Sequence, residues 1–312
     1  MGDGNTALRI EWDRCRRGEW ERLAAAAAAC PFEQTWLYGD AYADGDRATV
    51  RRGVIFADDA PIAIVQGFTR RFAGLITLVQ ILRGPVLIAP AALEALDLLY
   101  RRIGTEMRRS RREVLFWTPE LVDGDAAIAA MRVCGLRRIL TGYASACLDL
   151  TPDEAALRAA LHGKWRNALT QAERAPLRVD AADLPWLLER YGRLRRHRRF
   201  GGPGPAMLSQ ILSHAAPENI VALQAASGNE PVAGALFLAH GRGASYLVGW
   251  TDEPGRRLNA GTLLLWRGML ELRRRGIGSL DLGGIDTRRS PGIARFKLGV
   301  GGQAYRLAGT FA

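Results

Sequence analysis

Apolar positions along the chain follow two rhythms, one near two residues and one near 3.6, and their succession predicts the elements. Residues 15–45 carry the helical rhythm. Val50 to Phe68 alternates in two runs around Asp58-Asp59-Ala60-Pro61, residues that favour turns, and so predicts an antiparallel hairpin. Ile76 to Ile88 is a further extended stretch that contains Leu82-Arg83-Gly84-Pro85-Val86. A helix over about 91–109, a strand at Val114-Leu115-Phe116-Trp117, a helix near 126–133 and a strand ending Cys147-Leu148-Asp149-Leu150 complete the first half.

Thr151-Pro152-Asp153-Glu154 reads as the start of a new domain, with Thr151 as a helix cap and Pro152 at the first helical position. Helices are predicted over about 152–175, 183–198 and 204–214. A second hairpin then opens at Val221-Ala222-Leu223-Gln224 and turns at Ser227-Gly228-Asn229-Glu230-Pro231. Each half therefore has helices, a hairpin whose turn ends in proline, another strand, a long amphipathic helix and a short apolar strand. The repetition predicts a duplicated α/β (α+β) unit, residues 1–150 and 151–312, each a mixed β-sheet flanked by helices.

Composition changes this picture little. The 312 residues are 48% hydrophobic and 24% charged, enough for two ordinary cores. No apolar run approaches the roughly 18 residues that span a bilayer. The opening Met-Gly-Asp-Gly-Asn reaches Arg9, Glu11 and Asp13 without the layout of a secretory signal, so the expected location is the cytoplasm. Cys15, Cys30, Cys134 and Cys147 are scattered, with no histidine at ligand spacing, and predict buried thiols and no metal site. The net charge of +11 points to polyanionic partners, RNA or a nucleotide-linked substrate among them. Of 43 basic residues only Lys164 and Lys297 are lysines.

The segment richest in chemistry runs from Leu258-Asn259-Ala260-Gly261-Thr262 through Arg273-Arg274-Arg275-Gly276 to Leu280-Asp281-Leu282-Gly283-Gly284. It predicts a strand, a glycine-containing turn, a helix whose free N-terminus can receive an anion, and a strand breaking into paired glycines. Acetyltransferases of the GNAT superfamily share this arrangement, with a Gln/Arg-x-x-Gly-x-Gly/Ala loop that holds the pyrophosphate of coenzyme A. The stretch Arg256-Arg257-Leu258-Asn259-Ala260-Gly261 places Asn259 where the first glycine belongs, which argues against coenzyme A.

Several separated pieces resemble the FemABX family of aminoacyl-tRNA-dependent transferases. They are Pro31-Phe32-Glu33-Gln34-Thr35-Trp36, Leu82-Arg83-Gly84-Pro85, Leu161-His162-Gly163-Lys164-Trp165-Arg166-Asn167, Ala172-Glu173-Arg174, Asn259-Ala260-Gly261, Asp281-Leu282-Gly283-Gly284 and Gly292-Ile293-Ala294-Arg295-Phe296-Lys297. They occur in family order over most of residues 31–300. The resemblance implies two tandem GNAT-like acyltransferase domains. It also implies an enzyme moving an amino acid from aminoacyl-tRNA, as co-substrate, to an amine of a peptide-like or cell-wall-precursor acceptor. No cofactor is implied; the alternative is an acyl-CoA-dependent N-acyltransferase, and a third is a non-catalytic RNA- or ligand-binding protein.

Acyl transfer passes through a tetrahedral oxyanion, which a cation or amide donors must meet. The resemblance gives that role to Lys297, toward the oxyanion or an adjacent tRNA phosphate, on a strand or loop after Gly283-Gly284. It gives acceptor-phosphate contacts to Lys164 and Arg166, and substrate contacts to Trp36, Arg83, Asn259 and Phe296. Asp281 is a candidate to accept a proton or orient the acceptor amine, or else bonds nearby amides. Gly283 and Gly284 allow close backbone approach to a ligand or simply form a tight turn. Tyr246 and Trp250 either wall the site or pack the core. The run Arg193-Leu194-Arg195-Arg196-His197-Arg198-Arg199 is either a solvated face or a track for an RNA backbone through Arg195, Arg196, Arg198 and Arg199.

Overall fold

The computed structural model describes residues 8–46, 48–72, 76–90, 92, 95–108, 112–198 and 202–312. The chain forms two compact units, residues 1–143 with 306–312 and residues 144–305.

In the first unit β1 (Leu8–Trp12), α1 (Arg17–Ala26), a 3-10 turn (Phe32–Gln34) and α2 (Trp36–Asp46) precede the hairpin β2 (Thr49–Ala57) and β3 (Ala60–Phe72). The chain continues with β4 (Ile76–Leu82), β5 (Val86–Leu87), α3 (Leu96–Met107), β6 (Glu113–Thr118), α4 (Asp125–Val133) and β7 (Arg138–Leu140). Asp58 turns the hairpin in the left-handed region at φ 53°, a conformation aspartate tolerates better than most residues. Strand β3 is buried on both faces. Ile64 joins Trp20, Ala24 and Val54 under α1, whereas Ala63 and Val65 join Ile55, Leu99, Ile103 and Met131 under α3 and α4.

The second unit begins with β8 (Ala144–Asp149), α5 (Glu154–Ala160), α6 (Gly163–Arg174), β9 (Leu177–Ala181), α7 (Leu184–Arg198) and α8 (Pro205–His214). Strands β10 (Ile220–Ser227), β11 (Glu230–His240) and β12 (Gly243–Thr251) form a meander. Then come α9 (Glu253–Arg257), α10 (Ala260–Arg274), β13 (Ser279–Asp281), α11 (Pro291–Gly299) and β14 (Gln303–Arg306). Helix α10 is apolar nearly all round because it lies in the core formed with α6, Phe237 and Leu280. Gly268 is required there, since a Cβ would stand 2.2 Å from the Phe237 ring. Leu187, Tyr191, Leu208, Leu236 and Val248 make a separate core beneath α7 and α8.

With a last strand β15 (Thr310–Phe311), the two sheets repeat one order, β1-β2-β3-β4-β6-β15-β7 and β9-β10-β11-β12-β13-β8-β14, with β5 added against β3. The duplication read from the sequence is thus present, with one exchange. Strand β8 follows β7 in the chain but pairs with β13, and β15 (Thr310–Phe311) follows β14 but pairs with β6 and β7. This moves the boundary from the expected 150/151 to 143/144 and returns residues 306–312 to the first unit. Asp153, rather than Thr151, caps the next helix, accepting from the Ala156 N–H at 2.7 Å, while Thr151 bonds to Asp149. The helix expected over 152–175 is two helices, broken at Leu161 and His162. Strands β1 and β9 were not foreseen.

Candidate functional site

Within the first sheet the parallel pair β4–β6 is matched over six residues, from Thr77 opposite Glu113 to Leu82 opposite Thr118. The corresponding pair in the second sheet, β12–β13, is matched only at Gly243–Ser279, Ala244–Leu280 and Ser245–Asp281. Beyond Asp281 the chain follows β8 instead, with the Leu282 N–H on Ala146 and the Ile285 N–H on Ala144. Strand β12 runs on to Thr251, so its edge past Ser245 diverges from the chain leaving β13. The first unit is zipped where the second is splayed.

Strand β12 leads through α9 to Asn259 at the N-terminus of α10. Asn259 adopts φ 54°, ψ 30°, the left-handed conformation that a glycine would supply. Its side-chain amide donates to Gln171 Oε1 at 3.1 Å and leaves the helix uncapped. The first N–H groups of α10 and the positive end of its dipole are therefore available to an anion. Gly261 allows close approach, since a Cβ would lie 2.9 Å from Thr251 Oγ1. The substitution of asparagine for glycine thus preserves the loop geometry, which removes the reason for reading it as a mark against coenzyme A.

Asp281 ends β13 with both carboxylate oxygens engaged. One accepts from Ser145 Oγ at 2.6 Å and the Gly283 N–H at 2.8 Å, and the other from the Tyr305 hydroxyl at 2.9 Å. Gly283 turns the chain at φ 71°, and the Gly284 carbonyl accepts from Lys297 Nζ at 2.9 Å. Lys297 is on helix α11 rather than on the expected strand or loop, and is half-buried. Burial lowers its pKa to about 8, against the pull of the Asp281 charge. Asp281 is accordingly placed to hold the turn and to bias Lys297.

Phe296 and Lys164 come from pieces far apart in the chain that pack together. The Trp165 indole donates to the Phe296 carbonyl at 3.1 Å, the two rings lie 6.1 Å apart, and Gly299 leaves room for Trp165. Lys164 is exposed in the first turn of α6 beside Trp165. Arg166 donates from Nη2 to the carbonyls of Ala159 and Leu161, both at 2.9 Å, so it ties down the end of α5. A bulge at Leu247 reverses the alternation of β12. Tyr246 consequently faces Phe237, with ring centroids 5.1 Å apart and its phenol pKa raised by burial, while Trp250 faces the other core against Trp186.

In the first unit, Trp36 opens α2 with the Arg52 guanidinium 3.7 Å above its ring. Arg83, at φ 53°, forms a bidentate pair with Glu120 at 2.7 and 2.8 Å and a second contact with Glu33 at 3.5 Å. Both residues have structural partners within their own unit. On α7, Arg195 is half-buried and Arg196 and Arg198 are exposed at the helix C-terminus, where its dipole favours cations. Arg199 lies outside the described residues. Ser145 and Tyr305 were missed by the sequence reading. Neither stands in a motif, and Ser145 meets Asp281 across 136 residues.

Residues 155–306 match the family model described as an acetyltransferase (GNAT) domain. Among solved structures, FemX superposes with a TM-score of 0.81 over 96% of both chains at 13% identity. A protein of unknown function from Bacteroides thetaiotaomicron gives 0.59 over 97% of this chain and 98% of that one at 12% identity. A tandem GNAT protein from the clavulanic acid biosynthesis pathway gives 0.53 over the same shares at 12% identity. No curated protein matches the sequence. Among the described residues no helix is long and apolar enough to cross a membrane. The chain thus has the FemABX-like tandem GNAT fold, and nearly all of the stretch that matches the acetyltransferase (GNAT) domain model lies in its second unit.

Proposed function

We propose that the protein is an aminoacyltransferase that moves an amino acid from aminoacyl-tRNA to the amine of a peptide-like or nucleotide-linked acceptor. The observation that carries this reading is the contrast between the two parallel pairs. Among the described residues, only the second unit has a splayed strand edge, an uncapped helix N-terminus and a half-buried lysine together. The acceptor amine attacks the ester carbonyl, the new C–N bond forms, and the C–O bond to the terminal ribose breaks. The proton lost by the amine ends on the departing hydroxyl. Lys297 meets the oxyanion or an adjacent phosphate, and the Asp281 turn fixes the carbonyl to which Lys297 docks. Exposed arginines on α7 and the net charge of +11 suit a polyanionic donor.

A second reading, an acyl-CoA-dependent N-acyltransferase, is favoured by the left-handed Asn259 and the open N-terminus of α10. Incubation with charged tRNA and candidate amines should release uncharged tRNA and a new amide, with Lys297→Ala abolishing the transfer. Turnover with acyl-CoA alone would select the second reading, and turnover with neither would refute both.

A further inference from the structure

Among the described residues, half of the exposed large apolar side chains are concentrated in one stretch of the first unit. Val122, Val133, Ile139, Leu140 and Tyr143 are 67%, 36%, 48%, 61% and 42% exposed. Val122 and Tyr143 are drawn to one place by Leu307, which bridges to the first and donates its N–H to the second. Ile139 and Leu140 belong to β7, the last strand of its sheet among the described residues.

The same stretch lines a cavity of about 720 Å³ with Arg132, Arg137 and Arg138 beside Ile128, Leu136 and Phe311, and among the described residues no aspartate or glutamate side chain takes part in the lining. Asp123 is neutralised from two sides, by Arg138 at 3.0 Å and Arg306 at 2.6 Å. Arg132 and Arg137 are exposed, and among the described residues neither side chain has an ion-pair or hydrogen-bond partner. The backbone of Arg137 exchanges both hydrogen bonds with Ala312, which fixes its place at the cavity edge.

The fold itself does not demand these residues, as the duplication shows. Helices α4 and α11 both have nine residues, and each is followed by a cap near φ −80° and a left-handed glycine, Gly135 or Gly301. Counting from the helix ends, the positions of Arg132, Arg137 and Arg138 are occupied in the second unit by Leu298, Gln303 and Ala304. Those of Val133 and Ile139 are occupied by Gly299 and Tyr305, and that of Leu140 by Arg306, the last residue of β14. The same scaffold is built without the combination of bare arginines and exposed aliphatic side chains.

We propose that the segment from Val122 to Tyr143 is a peripheral docking surface for an anionic membrane. The aliphatic side chains enter the headgroup region, and the arginines meet lipid phosphates. Arginine suits that contact because its fork engages phosphate oxygens bidentately, and apolar side chains beside it add burial that a soluble polyanion does not offer.

The test is co-sedimentation of the full chain with vesicles of phosphatidylcholine alone or mixed with phosphatidylglycerol. The protein should bind the mixed vesicles and leave the neutral ones. Each arginine near the surface contributes about fivefold, so Arg132→Gln with Arg137→Gln should weaken binding by roughly 25-fold. Ile139→Ser with Leu140→Ser should weaken it further at unchanged net charge. The comparison pair Arg196→Gln with Arg198→Gln separates this surface from overall charge, and should leave binding within a few-fold of wild type. All these positions are exposed, so thermal melts should report folded variants.

Equal loss in the comparison pair would overturn the proposal, as would binding that survives the serine pair. A dimer in solution that dissolves in the serine variant would assign the surface to a second copy instead. The readout is independent of any transfer activity, so it stands or falls apart from the proposed function.

Discussion

The state of Lys297 is directly measurable, because the chain has only one other lysine to compete with it. Burial brings its pKa to about 8 from an ordinary 10.5. At pH 7.5 this makes roughly a quarter of the side chain neutral, against roughly one part in a thousand for an ordinary lysine, a difference of about 250-fold in free amine. Competitive labelling with isotopic acetic anhydride across a pH series, read by peptide mass spectrometry, gives the titration of Lys297, with exposed Lys164 as the internal comparison. The expected inflection is near pH 8. Asp281→Asn removes the carboxylate that favours the ammonium and leaves the burial, so the inflection should move lower. The asparagine Oδ1 can still accept from Ser145 and Gly283 while its Nδ2 donates to the Tyr305 oxygen, so the turn should survive. An inflection near that of an ordinary lysine, or an upward shift in the variant, would refute the account of burial opposed by Asp281.

Stability should carry the same signature. A lysine whose folded pKa lies below its unfolded value opposes folding while charged, and that cost disappears as pH rises from about 8 toward 10.5. The stability advantage of Lys297→Met in urea titrations should therefore shrink across that window, and a constant difference would contradict it. Arg83→Met should leave Glu120 and Glu33 facing each other without a cation and cost about 3–5 kcal/mol near neutral pH. Urea titrations measure it, and a loss below about 1 kcal/mol would show that the two carboxylates tolerate each other without the arginine. Asn259→Gly should leave stability within about 0.5 kcal/mol, whereas Asn259→Ala should cost about 1 kcal/mol through the left-handed backbone. Equal effects in thermal melts would remove the conformational explanation. Gly268→Ala should destabilise by about 1–3 kcal/mol because the new methyl meets the Phe237 ring; a neutral result would mean that the ring moves aside.

What the sequence disclosed depended on whether the determining interactions are local. Both hairpins were legible because their turns need residues that tolerate positive φ, and Asp58 and Gly228 provide them within four positions. The break at Leu161 and His162 was not, since nothing in Leu-His-Gly forbids a helix. His162 donates its N–H to Gly299, a partner far along the chain. The boundary was misplaced for the same reason. Apolar alternation in Ala144–Asp149 shows a strand, and only pairing with Ser279–Asp281 shows to which sheet it belongs.

At the site, the ordered motifs located Lys297, Asp281, Asn259 and the paired glycines, and what they could not supply is which atoms are already engaged. A free Asp281 is a reasonable base, but one that holds Ser145, Gly283 and Tyr305 is an anchor for the turn. In the proposed transfer, that shift moves the chemical burden to Lys297 and the amides of α10. It also changes what Asn259 means. A residue type read as a lost glycine is, in its backbone angles, a retained one. On the proposed reading, the helix N-terminus it leaves uncapped would serve any anionic donor, the phosphates of a tRNA or of coenzyme A alike, so the choice of donor would rest on the surfaces that surround the splayed strands. Exposed arginines along α7 favour the longer polyanion.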